Sequence, residues 1–184
     1  MSWEDKKEVK KGNIGERLVN QYLESRGWVI YKPITNKAHA FDKLCLKGKE
    51  TLIIAEVKTK SRMNSYNATG FDTKHYEQYK KISEKYRMEV FVFFVDEGLG
   101  KIYGNKLSIL SKHYEARDGI YPRKLNKGKI IIFSLEAMQP IANLKQESIE
   151  EIKGCSTRNY EYKFAQDNMK IINKKIMEGH EELF

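Results

Sequence analysis

Asp42, Glu56 and Lys58 are the residues whose types and spacing bear most directly on chemistry. They stand in the order F-D-x13-E-V-K, with Glu56 and Lys58 two apart at the end of the apolar run Thr51-Leu52-Ile53-Ile54-Ala55. Side chains two apart on a strand share a face, so this carboxylate and this ammonium would point the same way. If Phe41 to Lys47 pairs beside that run, Asp42 joins them. Two carboxylates and a lysine at the head of a buried sheet are costly, and the usual compensation is a divalent metal held by the carboxylates. Such a site points to hydrolysis of a phosphodiester. Hard oxygen donors suit Mg²⁺ or Mn²⁺, with Asp42 and Glu56 as ligands and the Val57 carbonyl as a candidate third. Lys58 would orient or deprotonate the attacking water and offset the charge of the phosphorane. The plainer reading is a surface salt bridge for Glu56 and Lys58 and a strand-start cap for Asp42.

These residues need elements to position them, and the pattern supplies them in order. After a mixed-charge arm, Ile14, Leu18, Val19, Tyr22 and Leu23 recur at helical spacing, with Asn13 as N-cap and Gly27 as terminator, predicting a helix over 14–26. Residues 28–31 read as a strand ended by Pro33, 35–39 as polar loop, and 40–46 and 51–59 as strands joined by Lys47-Gly48-Lys49-Glu50. That short glycine-bearing link fits an antiparallel hairpin. Tyr76, Tyr79, Ile82 and Tyr86 predict a helix over 73–87, and Val90–Val95 is the continuous apolar run of a strand buried on both faces. A helix between the last two strands lets them run parallel through a right-handed crossover. The expected order is αβββαβ. Farther on, Lys101–Tyr103 reads as an edge strand, 107–114 as a short helix and 129–135 as a strand. Met138-Gln139-Pro140 reads as a break, with helices over 146–153 and 160–177, the last striped by Phe164, Met169, Ile172 and Ile176.

The pair Phe41-Asp42 with Glu56-Val57-Lys58 resembles the PD-(D/E)xK nuclease superfamily, with Phe41 where its proline stands. Residues 12–31, GNIGERLVNQYLESRGWVIY, are similar to the first helix of Holliday-junction resolvases and related nucleases. The likeness spans roughly residues 12 to 96. It implies an α/β, restriction-endonuclease-like αβββαβ core with a mixed sheet, extended by a C-terminal strand and helices. It also implies that Glu16 matches the helix-borne acidic ligand of those nucleases, which would bind a second metal or a metal-bound water. Members commonly work as homodimers because two strands must be cut. Tyr76, Gln78 and Tyr79 resemble the Gln/Tyr-bearing helix that follows the E-x-K strand in some relatives. Gln78 is accordingly a candidate substrate contact.

Composition frames the partners. Apolar content of 40% with 11% aromatics argues for a globular fold over disorder. The start MSWEDKKEVKK lacks the apolar centre of a signal peptide, and no stretch has the length of a membrane span, so a cytoplasmic location is expected. Cys45 and Cys155 are too few for a disulfide framework, and neither lies in a CxxC or Cys/His cluster that would predict structural zinc. A net charge of +9 favours polyanions. Between residues 101 and 129, Lys101, Lys106, Lys112, Arg117, Arg123, Lys124, Lys127 and Lys129 face only Glu115 and Asp118, with Tyr103, His113, Tyr114 and Tyr121 interleaved. Basic residues among aromatics suit a nucleic-acid groove, and a solvated lysine-rich surface is the competing reading.

The sequence thus predicts a charged arm (1–12), a nuclease core (13–106) and a basic segment with an extra strand and helices packed on that core (107–184). Its expected function is a Mg²⁺- or Mn²⁺-dependent endonuclease acting on DNA. The alternatives are an RNase or exonuclease on the same core, or a non-catalytic nucleic-acid-binding module. Expected catalytic residues are Glu16, Asp42, Glu56 and Lys58. Lys60, Arg62, Gln78, Arg123 and Lys124 are expected to contact nucleic acid, Lys60 and Arg62 because they lead into the polar loop 62–70. His39 and His75 are read as polar surface.

Overall fold

Helix α1 (Lys7–Ser25) turns Ile14, Leu18, Val19 and Leu23 onto one buried stripe, as their spacing dictates. It starts well before Asn13, which is therefore an interior residue and not the N-cap. The added turns carry Lys11, whose ammonium lies 3.2 Å from the Glu97 carboxylate. Gly27 follows the helix with a φ of 80°, the left-handed conformation that ends helices cheaply. In this computed structural model, residues 5–33, 41–63, 67–116, 124–125 and 128–156 are described.

Strands β1 (Val29–Tyr31), β2 (Lys43–Lys47) and β3 (Thr51–Thr59) form an antiparallel meander, with Lys43 opposite Ala55 and Lys47 opposite Thr51. Strand β4 (Ala68–Asp72) and helix α2 (Thr73–Tyr86) lead to β5 (Glu89–Asp96), which pairs parallel to β3 with Glu56 opposite Val92 and Lys58 opposite Phe94. The αβββαβ order and the mixed sheet expected from the sequence are present, with β4 inserted before α2. Next come β6 (Lys101–Lys106), α3 (Leu107–Ala116), β7 (Lys124–Leu125), β8 (Ile130–Ser134), a 3-10 turn at Leu135–Ala137, β9 (Gln139–Asn143) and α4 (Gln146–Gly154). The main sheet runs β1-β2-β3-β5-β6-β9 and a second sheet β4-β8-β7.

Three further readings change here. Lys101–Tyr103, expected as an edge strand, is part of β6, which lies inside the sheet between β5 and β9. Residues 68–70, expected as loop, belong to β4, because the apolar β8 supplies a partner for a segment too polar to suggest a strand by itself. The expected break at Pro140 is instead part of β9. That strand lies at the sheet edge, where a proline's missing N–H costs no ladder bond, and the pairing shifts register between Ile102 and Tyr103. The helix expected over 160–177 lies outside the described residues. None of the described helices is long and apolar enough to cross a membrane.

Alternation along the central strands divides the core. Ile53, Ala55, Val57, Phe91, Phe93 and Val95 pack under α1, while Ile54, Val90, Val92 and Phe94 pack with Phe71, Tyr76, Tyr79, Ile131 and Phe133 on the other face. Gly15 sets how closely α1 approaches β3: a Cβ there would stand 1.8 Å from the buried Thr59 Oγ1. Gly15→Ala should therefore push the helix off the strand end and destabilise the fold by about 1–3 kcal/mol, despite alanine's better helix propensity. Guanidinium unfolding of the two proteins measures this; an alanine variant at least as stable as the parent would show that the contact yields freely.

Candidate active site

Glu56 shares its face of β3 with Ile54 and Lys58, so all three lie on the α2 side of the sheet. Its carboxylate is 1% exposed and accepts from the Tyr79 hydroxyl at 2.6 Å and from the Lys58 ammonium. Lys58 also reaches the Tyr79 oxygen at 3.4 Å and lies over the Phe71 and Tyr79 rings, 5.9 and 5.8 Å from their centroids. The E-x-K pair is thus not the surface salt bridge of the plainer reading. It is seated in an aromatic cup contributed by β4 and α2.

Asp42 reaches this pair by replacing a strand. The β2–β3 ladder stops at Lys43–Ala55, which leaves Val57 one step beyond its end. There the Val57 N–H donates to Asp42 Oδ2 at 2.8 Å, and the Asp42 N–H faces Glu56 Oε2 at 3.3 Å. Because a residue's N–H and C=O lie on the same strand edge, the Val57 carbonyl shares the edge that Asp42 occupies. Burial raises the Asp42 carboxyl to about 6, helped by the neighbouring Glu56 charge; the Val57 hydrogen bond opposes the rise, the more distant Glu16 adds to it and Lys58 opposes it. Two carboxylates crowded out of water hold an excess of negative charge that a cation would relieve.

Glu16 lies across the sheet from this pair. Lys43 shares the α1 face with Ala55, is fully buried, donates to Asn20 Oδ1 at 2.9 Å and stands 3.6 Å from Glu16 Oε2. Glu16 and Asn20 are four apart on α1, so they present neighbouring groups to one ammonium. Lys32 stands 3.6 Å from the same Glu16 oxygen. Burial lowers the Lys43 pKa, and the charges of Glu16 and Asp42 oppose that shift. Of the four residues expected to act together, Asp42, Glu56 and Lys58 are brought into contact, whereas Glu16 meets lysines and acts on Asp42 through its charge.

The expected nucleic-acid contacts fare differently. Arg62, expected at a substrate-facing loop, is 2% exposed, with its Nε 3.4 Å from Asp96 Oδ2 and Nη1 donating to Asn67 at 3.2 Å; it is a buried structural cation. Lys60 is half-buried two residues beyond Lys58, and its backbone N–H donates to Val95. Gln78 turns from the site into a surface groove with Lys74, Glu77, Lys81 and Tyr86, while Tyr79 faces Glu56. Arg123 and the Lys124 side chain lie outside the described residues. In the basic segment, Tyr103 is buried and Tyr114 packs against Tyr76 and Phe133, so neither ring is presented for base stacking; Lys101 is buried too. His75, read as surface, lies one turn before Tyr79 with ring centroids 6.1 Å apart, and burial followed by the Lys58 charge lowers its pKa.

Sequence reasoning missed Lys43 and its partner Asn20. The signal was present: Lys43 alternates with Cys45 onto the face of a strand expected to be buried.

No family model and no curated protein sequence matches the chain. Among solved structures, it is similar to nucleases. The Holliday junction resolvase Hjc from the archaeal hyperthermophile Archaeoglobus fulgidus aligns at 15% identity and a TM-score of 0.48, covering 68% of this chain and 90% of that one. A bacterial homing endonuclease aligns at 13% identity and 0.43, covering 92% and 94%. A nuclease from a fusselovirus aligns at 11% and 0.46, covering 79% and 90%.

Among the described residues, no group of three or more His, Cys, Asp or Glu side chains is gathered to hold a metal. Two adjoining carboxylates with a backbone carbonyl on the same edge are nevertheless what Mg²⁺ accepts, since it keeps several waters and needs one or two protein carboxylates. The residues fit such an ion.

Proposed function

We propose that this chain is a divalent-metal-dependent nuclease that hydrolyses phosphodiester bonds of DNA, working as an endonuclease and as a homodimer. The observation that carries the reading is the Asp42–Glu56 pair at the end of a strand ladder, with Glu56 buried, Asp42 half-buried, and the Asp42 carboxyl raised to about 6 by desolvation and by its neighbour. Asp42, Glu56 and the Val57 carbonyl would hold Mg²⁺ or Mn²⁺. When bound, the ion supplies Lewis-acid stabilisation of the phosphorane and a water of lowered pKa.

The remaining work falls to the chain's own groups. Tyr79 donates to Glu56 and so fixes the carboxylate's rotamer, while the Val57 N–H fixes that of Asp42. Lys58, one-sixth exposed and leaning on two rings, has its ammonium at the open end of the pair. From there it can orient the attacking water and neutralise charge developing on the phosphoryl oxygens. Glu16, already matched to lysines, is a charge neighbour of this centre.

Supercoiled, linear, branched and single-stranded DNA, together with RNA, should be incubated with the protein in Mg²⁺, Mn²⁺ or EDTA. Nicked and linear DNA products are expected with either ion and none in EDTA. Undiminished cutting in chelator would remove the metal from the reading. Inactivity on every substrate would favour a binding module.

A further inference from the structure

We infer that Lys43 occupies, as a built-in cation, the place beside Glu16 that a second metal ion would otherwise take, so that the site operates with one divalent ion. This inference rests on the nuclease reading and specifies its metal stoichiometry.

The observations begin with position. Asp42 and Lys43 are consecutive, so they straddle the sheet: Asp42 turns to Glu56 on the α2 face and Lys43 to α1. The ammonium of Lys43 therefore stands beside the helix-borne carboxylate while still feeling the charge of Asp42. It is held there by Asn20 at 2.9 Å and Glu16 at 3.6 Å, with the side chain fully buried. A buried ammonium held this tightly is a fixed charge, since swinging it out would leave Asn20 and Glu16 to be resolvated. Lys32 guards the same Glu16 oxygen from the outer side.

Charge balance points the same way. Glu16, Asp42 and Glu56 bring three negative charges, matched by the three positive charges of Lys32, Lys43 and Lys58. One divalent ion and one phosphodiester charge then leave the centre only one unit positive. A second ion would leave it strongly positive and would have to displace Lys43 from Glu16. Lys43 is accordingly a positioning residue, which keeps Glu16 from serving as a ligand.

The test is calorimetric titration of Mn²⁺ into the full chain without DNA. The parent is expected to bind one equivalent, and Glu16→Gln one equivalent with affinity within about threefold of the parent. Lys43→Met should release Glu16 and either bind a second equivalent or tighten binding at least tenfold. Adding Glu16→Gln to that variant should cancel the gain, and Lys43→Arg should behave as the parent. Should Lys43→Met fail to fold, the parent and Glu16→Gln still decide. Two equivalents in the parent, falling to one in Glu16→Gln, would overturn the inference and leave the nuclease reading standing. No Mn²⁺ binding by the parent would overturn both.

Discussion

Asp42→Asn and Glu56→Gln are each expected to lower the rate of DNA cleavage by about a thousandfold or more, because each removes a charge that holds the ion opposite the developing phosphorane. Affinity for DNA should hold or rise, since a negative charge facing phosphate has been removed. Asn and Gln keep an oxygen for the Val57 N–H and the Tyr79 hydroxyl, so the fold is not put at risk. The Asp42 variant carries a second readout. Its carboxyl is raised to about 6 in the folded protein, against about 3.9 in an unfolded chain. The folded state thus holds this proton more tightly, and the parent loses stability as pH rises through that interval. In metal-free buffer Asp42→Asn should match the parent below about pH 4 and exceed it above about pH 6, by on the order of 2 kcal/mol. Urea titrations at pH 4 and pH 8 measure this. An asparagine variant less stable than the parent at pH 8 would show that the carboxylate is not crowded.

The second large effect concerns the fold. Arg62→Met strips the buried Asp96 of its guanidinium, and breaking a buried ion pair from one side costs about 3–5 kcal/mol. Asp96 retains the N–H groups of Gly98 and Leu99, and burial already raises its carboxyl to about 6 with Arg62 pulling it down. Without the guanidinium its pKa rises further, so the deficit should be largest at neutral pH and shrink towards pH 5 as Asp96 takes up a proton. The slope of log DNA affinity against log salt should not change, because Arg62 is not a phosphate contact. A flattened slope with unchanged stability would return Arg62 to the substrate surface.

The chemistry-bearing strand was the most legible part of the chain. Residues 51–59 form β3 with the bounds read from the sequence, since an apolar run ending in E-V-K has few other arrangements, and the crossover through α2 set β5 parallel to it. What escaped reading depended on partners distant in sequence. The first turns of α1 carry little apolar periodicity, and the Lys11–Glu97 pair ties them to the strand ends. Strand β4 read as loop because Asn67 and Gly70 are turn formers in a polar stretch, and only β8 makes it a strand. Arg62 and Lys101 read as substrate-facing cations, and Lys43 carried no reading at all, because lysine and arginine are rarely fully buried. The half-buried Glu16 that meets Lys43 and the buried Asp96 that meets Arg62 lie 27 and 34 residues away along the chain. Tyr103 and Tyr114 read as stacking rings because the burial of the first, and the packing of the second on Tyr76 and Phe133, come from partners distant along the chain.

Whether Asp42 and Glu56 together hold a divalent ion is most directly tested by titrating Mn²⁺ calorimetrically into the parent, Asp42→Asn and Glu56→Gln. The parent should bind saturably and each variant at least about a hundredfold more weakly, since an ion with so few protein ligands depends on every carboxylate. Binding by both variants with the parent's affinity would contradict it and place the ion, if any, elsewhere in the molecule.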